Sequence, residues 1–179
     1  MKAMLGGCQY IGRKVVIVYS QWSLEKGWTI PNDTLMSPRG ETRLVGALID
    51  QEGMMHVAFF GGDDRSAAMY YSKAPAIDAA DARSWTPPLL VGEDAIIPTA
   101  GVLFGDGKNR LTIVYGGNNR GNGLYTVSLK YGGSTWSAPE AVFPTGAAVL
   151  WPYSVDVATG KDGRVHMVWG VVNEAGNGE

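Results

Sequence analysis

Four acidic side chains, Glu41, Asp63, Asp64 and Glu174, and four arginines, Arg39, Arg43, Arg65 and Arg120, stand in polar stretches beside β-branched runs. Hydrolysis of a glycosidic bond needs two carboxyl groups at a suitable separation, or a tyrosine nucleophile with a carboxylate partner. Glu41, Asp63, Asp64 and Glu174 are the acids available for such a pair. Arg39, Arg43, Arg65, Asn119 and Arg120 can donate directional hydrogen bonds to hydroxyls and carboxylates, and Asp64 can accept them from hydroxyls. Trp151 and Tyr153 offer flat faces for stacking on a ring. Each of these residues also has a plainer reading, as a solvated loop side chain that satisfies a turn. The pair Asp63-Asp64 has the charge for a cation but reads first as such a loop. His56 and His166 are the two histidines, at equivalent places in strands of different units, and read as structural strand residues rather than metal ligands. No nucleophile elbow, phosphate-cradling loop or zinc spacing occurs, so neither a cofactor nor a metal is expected.

The elements that hold these residues are short strands. Runs such as KVVIVYS at 14–20, MHVAFF at 55–60, RLTIVY at 110–115 and RVHMVW at 164–169 are β-branched and aromatic. Turn sequences separate them, among them Asp50-Gln-Glu-Gly53 and Thr159-Gly-Lys-Asp-Gly163, and the chain holds 25 glycines without a collagen period. Residues 74–83 carry alanines enough for a turn of helix.

The strands recur in a fixed plan. Trp28-Thr-Ile-Pro31, Trp85-Thr-Pro-Pro88 and Trp136-Ser-Ala-Pro139 share W-x-x-P at spacings of 57 and 51 residues. An aromatic residue precedes glycine at Phe60, Tyr115 and Trp169, spaced 55 and 54. Ser20, Ser72 and Ser128 end the third strands, spaced 52 and 56. A period near fifty residues marks a repeat architecture. With four strands a to d per unit, the order reads as c and d at 14–42, complete units at 43–94 and 95–146, and a and b at 147–179, with 1–13 a poorly ordered segment outside the repeat. The W-x-x-P segments read as the starts of the d strands, and their tryptophans as packing between units. Four-stranded antiparallel units repeated radially make a β-propeller of four to eight blades. Three blade equivalents do not close a ring, so each terminal half-blade is expected to be completed by another chain or by the same chain's other end; a homodimer that completes six blades and covers the open edges is the favoured assembly.

At 128–139, SLKYGGSTWSAP resembles the Asp-box (BNR) repeat of sialidase-like propellers, whose pattern is Ser-x-Asp-x-Gly-x-Thr-Trp. Gly132, Gly133, Thr135, Trp136 and Pro139 match, while Tyr131 holds the place of the aspartate. SLEKGWTIP and ARSWTPP are more degenerate copies. The resemblance implies about half of a six-bladed domain and a family whose members are often secreted or periplasmic. It implies that the loops before strand a and between strands b and c gather over the central channel, where a carbohydrate or similar small polar ligand would bind and where Glu41, Asp63 and Glu174 would be the candidate catalytic acids. It implies either a hydrolase or a non-catalytic glycan-binding propeller; the twofold of a dimer of such halves would add a third reading, a promiscuous hydrolase with a new pocket at the dimer axis. The Asp-box itself is a structural turn in that family and identifies no catalytic site.

Composition narrows the partners. A net charge of −2 without a basic cluster argues against nucleic-acid binding. No apolar run nears the roughly 18 residues that span a membrane. The start, MKAMLGGCQYIGRK, lacks the long apolar core of a secretion signal, and the lone Cys8 leaves no internal disulfide.

Overall fold

The computed structural model of the chain describes residues 3–11, 14–29, 32–35, 38, 40–62, 67–95, 101–106, 109–117, 123–144 and 150–173. At 3–11, 14–16, 32–35, 94, 143–144, 150–153 and 172–173 it describes the backbone alone. Among the described residues there are fourteen strands and one 3-10 turn. The first sheet holds β1 (Ala3–Ile11), β2 (Lys14–Ser23), β3 (Gly27–Trp28) and β4 (Asn32–Leu35). β1 lies along one side of β2, while β3 and β4 follow each other along its other side. The second sheet is the antiparallel meander β5 (Glu41–Ile49), β6 (Met54–Gly62), β7 (Ala67–Pro75) and β8 (Leu89–Ala95). The third repeats it with β9 (Gly101–Gly105), β10 (Arg110–Gly117), β11 (Gly123–Lys130) and β12 (Glu140–Pro144). A single bridge, Gly117 to Ala95, joins the second and third. Finally β13 (Leu150–Thr159) pairs with β14 (Val165–Asn173).

Period-two alternation turns the second sheet into a layer buried on both faces. Met55, Val57, Phe59, Ala68 and Tyr70 share one core with Ile17 and Tyr19 of the first sheet. Ala58, Phe60, Ala67, Met69 and Tyr71 share another with Leu111, Ile113, Tyr115, Tyr125, Val127 and Leu129 of the third. Each large apolar side chain so buried contributes on the order of 1.5–3 kcal/mol before chain entropy is counted. The first strands of successive units are neighbours, β5 beside β9 and β9 beside β13. All-β sheets of four antiparallel strands, stacked face to face around their first strands, make a propeller-type arrangement.

The hairpins closing the first two strands of each unit fix which residues correspond. The closing amide-to-carbonyl bonds run from Asp50 to Met54, Asp106 to Arg110 and Gly160 to Arg164. Counting from these, Phe59, Tyr115 and Trp169 are equivalent, so the Phe60-Gly61 marker is one residue out of step. The reason is length: β6 has 9 residues and β10 has 8, and the extra residue falls at the loop end. His56 and His166 do correspond, each two residues beyond the closing bond.

Other expectations change as well. Sequence alone keeps 1–13 outside the repeat and gives the first unit two strands. Ala3–Ile11 instead pairs with β2 from Ala3↔Trp22 to Ile11↔Lys14, so that unit has three strand positions. The fourth strands start at Leu89 and Glu140 rather than at Trp85 and Trp136. Prolines at 87, 88 and 139 have no N–H to give a ladder, so pairing begins after them. The alanine-rich insertion forms turns and a 3-10 turn, Ala82–Ser84, capped by Asp81.

Candidate functional site

The ends of the strands sort the polar residues into two groups. At one end Glu41 pairs with Gly62, Ala67 with Ala95, and Gly117 with both Ala95 and Gly123. Glu41, Gly62, Ala67, Ala95, Gly117 and Gly123 therefore share one end, and Gly62, Ala67, Gly117 and Gly123 are the described residues that bound 63–66 and 118–122. Leu150 pairs with Asn173, which puts the start of β13 and the end of β14 together in the same way. Glu41 is exposed and accepts a hydrogen bond from the Arg43 guanidinium at 3.2 Å, also exposed. Arg39, Asp63, Asp64, Arg65, Asn119, Arg120 and Glu174 lie outside the described residues. Trp151 sits opposite Val172, and Tyr153 falls in the irregularity between Pro152 and Ser154; their side chains lie outside the described residues.

At the opposite end a buried polar relay ties three strands together. Tyr71 Oη lies 2.6 Å from His56 Nδ1, and His56 Nε2 lies 2.9 Å from Asp50 Oδ2. His56 and Asp50 are both almost fully buried. Burial pushes the His56 imidazole below its ordinary range and so favours the neutral ring, against the pull of Asp50 toward the charged one. Burial pulls Asp50 upward, but bonds from His56 and from the Met54 and Glu52 amides outweigh it and hold the carboxyl below its usual range. Burial also raises the Tyr71 phenol, helped by the Asp50 charge. One proton arrangement satisfies every group: the phenol donates to Nδ1, and Nε2–H donates to the carboxylate. With both imidazole nitrogens engaged and the phenol held protonated, the relay is a scaffold that locks the β5–β6 turn to β7. Asp50 Oδ1 completes the lock by accepting from the Glu52 and Met54 amides. Asp106 and Asp162 build the equivalent turns, accepting from the amides of Asn109 and Arg110 and of Arg164.

Two clefts flank this lock. Asp50, Gln51, Glu52, Asn109 and Tyr131 line one of about 290 Å3. The other, about 270 Å3, has Tyr71 and Trp136 as an aromatic wall with Lys73, Thr86 and Ser134 at its margins. The Tyr71 and Trp136 rings meet edge to face at 4.9 Å. Trp136 Nε1 is buried without a hydrogen-bond partner among the described residues, which leaves it a donor to spend. Sequence reading assigns Asp50 to a turn, Tyr71 to a strand and Trp136 to inter-unit packing, and does not join them. The available signal was the hairpin register, Leu48 opposite His56, which sets the imidazole beside the turn carboxylate. Among the described residues no cluster of three or more metal-ligating side chains occurs.

With this geometry in view, the chain is similar in structure to the catalytic domain of Coprinopsis cinerea GH62 α-L-arabinofuranosidase, at a TM-score of 0.52 and 16% identity, covering 97% of this chain and 68% of that one. The likeness is one of fold, and it supports an all-β, propeller-type class for nearly the whole chain. No family model matches the sequence, and no curated protein does.

Proposed function

We propose that this chain is a glycan-directed propeller module, hydrolytic in character, which takes a saccharide at the strand ends marked by Glu41 and the connections 63–66 and 118–122. The observation that supports the reading is the strand register, which pairs Glu41 with Gly62 and Gly117 with Gly123, the strand ends that bound those connections. The fold shared with a glycosidase catalytic domain adds the class of ligand. Glu41, Asp63 and Glu174 would supply the acid and its carboxylate partner. Arg39, Arg43, Asp64, Arg65, Asn119 and Arg120 would hold hydroxyls or a sugar carboxylate, with Trp151 and Tyr153 stacking on a ring face. A sialidase-like preference for acidic sugars is the finer form, favoured by four arginines at positions 39, 43, 65 and 120.

A screen of fluorogenic glycosides, with α-L-arabinofuranoside and sialoside among them, tests the proposal. Turnover should occur and should fall at least tenfold in one or more of Glu41→Gln, Asp63→Asn and Glu174→Gln. Unchanged rates in all three would remove these acids from the mechanism. The cleft beside Asp50, Glu52, Asn109 and Tyr131 favours a second reading, a binding module without turnover, because amide, carboxylate and phenol suit sugar hydroxyls. Saccharide binding without hydrolysis, lost in Asn109→Ala, would select it.

A further inference from the structure

The two ends of the stack expose what its interior buries. Toward a following sheet, the second strand of each unit presents Ala58, Val114 and Val168 at equivalent positions. Ala58 and Val114 are 0% and 1% exposed, whereas Val168 is 69% exposed. The histidine equivalent to buried His56, His166, is exposed as well. Toward a preceding sheet, each unit presents the tryptophan of its W-x-x-P segment. Trp85 packs in the core shared with the first sheet and is 7% exposed; Trp136 packs on Tyr71 of the second sheet. Trp28, in the first sheet, is 53% exposed. Among the described residues the last sheet has no follower and the first no predecessor, and the two do not cover each other at these side chains.

We propose that a second copy of this chain covers both faces, each copy setting its first sheet, with Trp28, on the β13–β14 face of the other, with Val168. The interior of the chain specifies this occupant, because the same class of contact already joins the first sheet to the second and the second to the third. Two such contacts related by a twofold close the pair and leave no open apolar face, whereas one alone would start a filament. Because every unit runs in the same sense, closure brings the Glu41 ends of both copies to one side of the ring. β1 already lines β2, so the copies meet face to face and β13–β14 does not add to β2 as edge strands.

Light scattering on the full chain should give twice 19.1 kDa. Val168→Asp and Trp28→Gln should each halve that mass while leaving the circular dichroism spectrum unchanged, and Val168→Asp, which keeps Trp28, should raise the iodide quenching of tryptophan fluorescence. A monomeric wild type would overturn the proposal. So would a dimer that survives both substitutions, a ladder of higher masses, or dissociation by Val168→Asp alone, which would mark a contact between two like faces. Should either variant fail to fold, amine cross-linking of mixed isotopically light and heavy wild-type chains decides. Links between Lys26 of one copy and Lys161 of the other support the head-to-tail pair; between-copy links of Lys161 to Lys161 contradict it.

Discussion

His56 is the residue whose chemistry the fold controls most tightly. Its ring is kept neutral by burial and spends both nitrogens on Tyr71 and Asp50. A depressed histidine pKa means that the unfolded chain binds the proton more readily than the native one, so stability rises with pH. The contribution is complete above the ordinary 6.5 and is lost as pH falls from there through the native value. Asp50, also depressed, adds a second loss below the ordinary 3.8. Urea midpoints should therefore drop between pH 7.5 and 5. In His56→Gln that slope should flatten, and stability at pH 7.5 should fall by about 1–3 kcal/mol as the Asp50 and Tyr71 bonds weaken. An unaltered slope would place the titration elsewhere. A second residue-scale prediction concerns Gly92, where an added Cβ would lie 2.5 Å from Tyr115 Oη. Gly92→Ala should cost about 1–3 kcal/mol by overpacking, and Tyr115→Phe in the same chain should restore part of it in a denaturation cycle.

At the scale of the element, the W-x-x-P segments act through the residue after the tryptophan. Thr29 Oγ1 accepts from the Gln21 amide, Thr86 Oγ1 from the Lys73 amide and Ser137 Oγ from the Ser128 amide. In return the Thr29, Thr86 and Ser137 amides donate to the carbonyls of those same three residues. The hydroxyl closes the third strand onto the segment that leads to the fourth. Thr86→Val and Ser137→Ala should each lose about 1 kcal/mol in chemical denaturation, without change in the spectrum of the folded state. Much of this level was legible in advance. The tryptophan spacing located the segments, and β-branched runs located the strands. What was not legible is register. Ser128 corresponds to Lys73 rather than Ser72, and Tyr115 to Phe59 rather than Phe60, because a strand one residue longer moves its loop-end marker but not its turn-end bond. The relay escaped for a related reason, since Asp50, His56 and Tyr71 meet only once three strands are in register.

For the whole molecule, the repeated four-stranded meander could be read from the sequence, and the likeness to a glycosidase catalytic domain accords with an all-β, propeller-type class. β1 could not be read: AMLGGCQYI carries two glycines and no clean alternation, and only pairing with β2 makes it a strand. Of the acids and arginines proposed for the ligand end, Glu41 and Arg43 fall among the described residues and the others rest on loop position, because loop geometry is set by the sheets that flank it. The central claim is that a saccharide binds at the Glu41 end rather than at the Asp50 end. Backbone amide NMR shifts recorded while the chain is titrated with a mixture of plant and sialylated oligosaccharides test it most directly. The shifts should concentrate at Glu41, Gly62, Glu93 and Gly117 and leave Asp50, Gly53, Asn109 and Asp162 in place. Shifts confined to the Asp50 end, or none at either end, would contradict it.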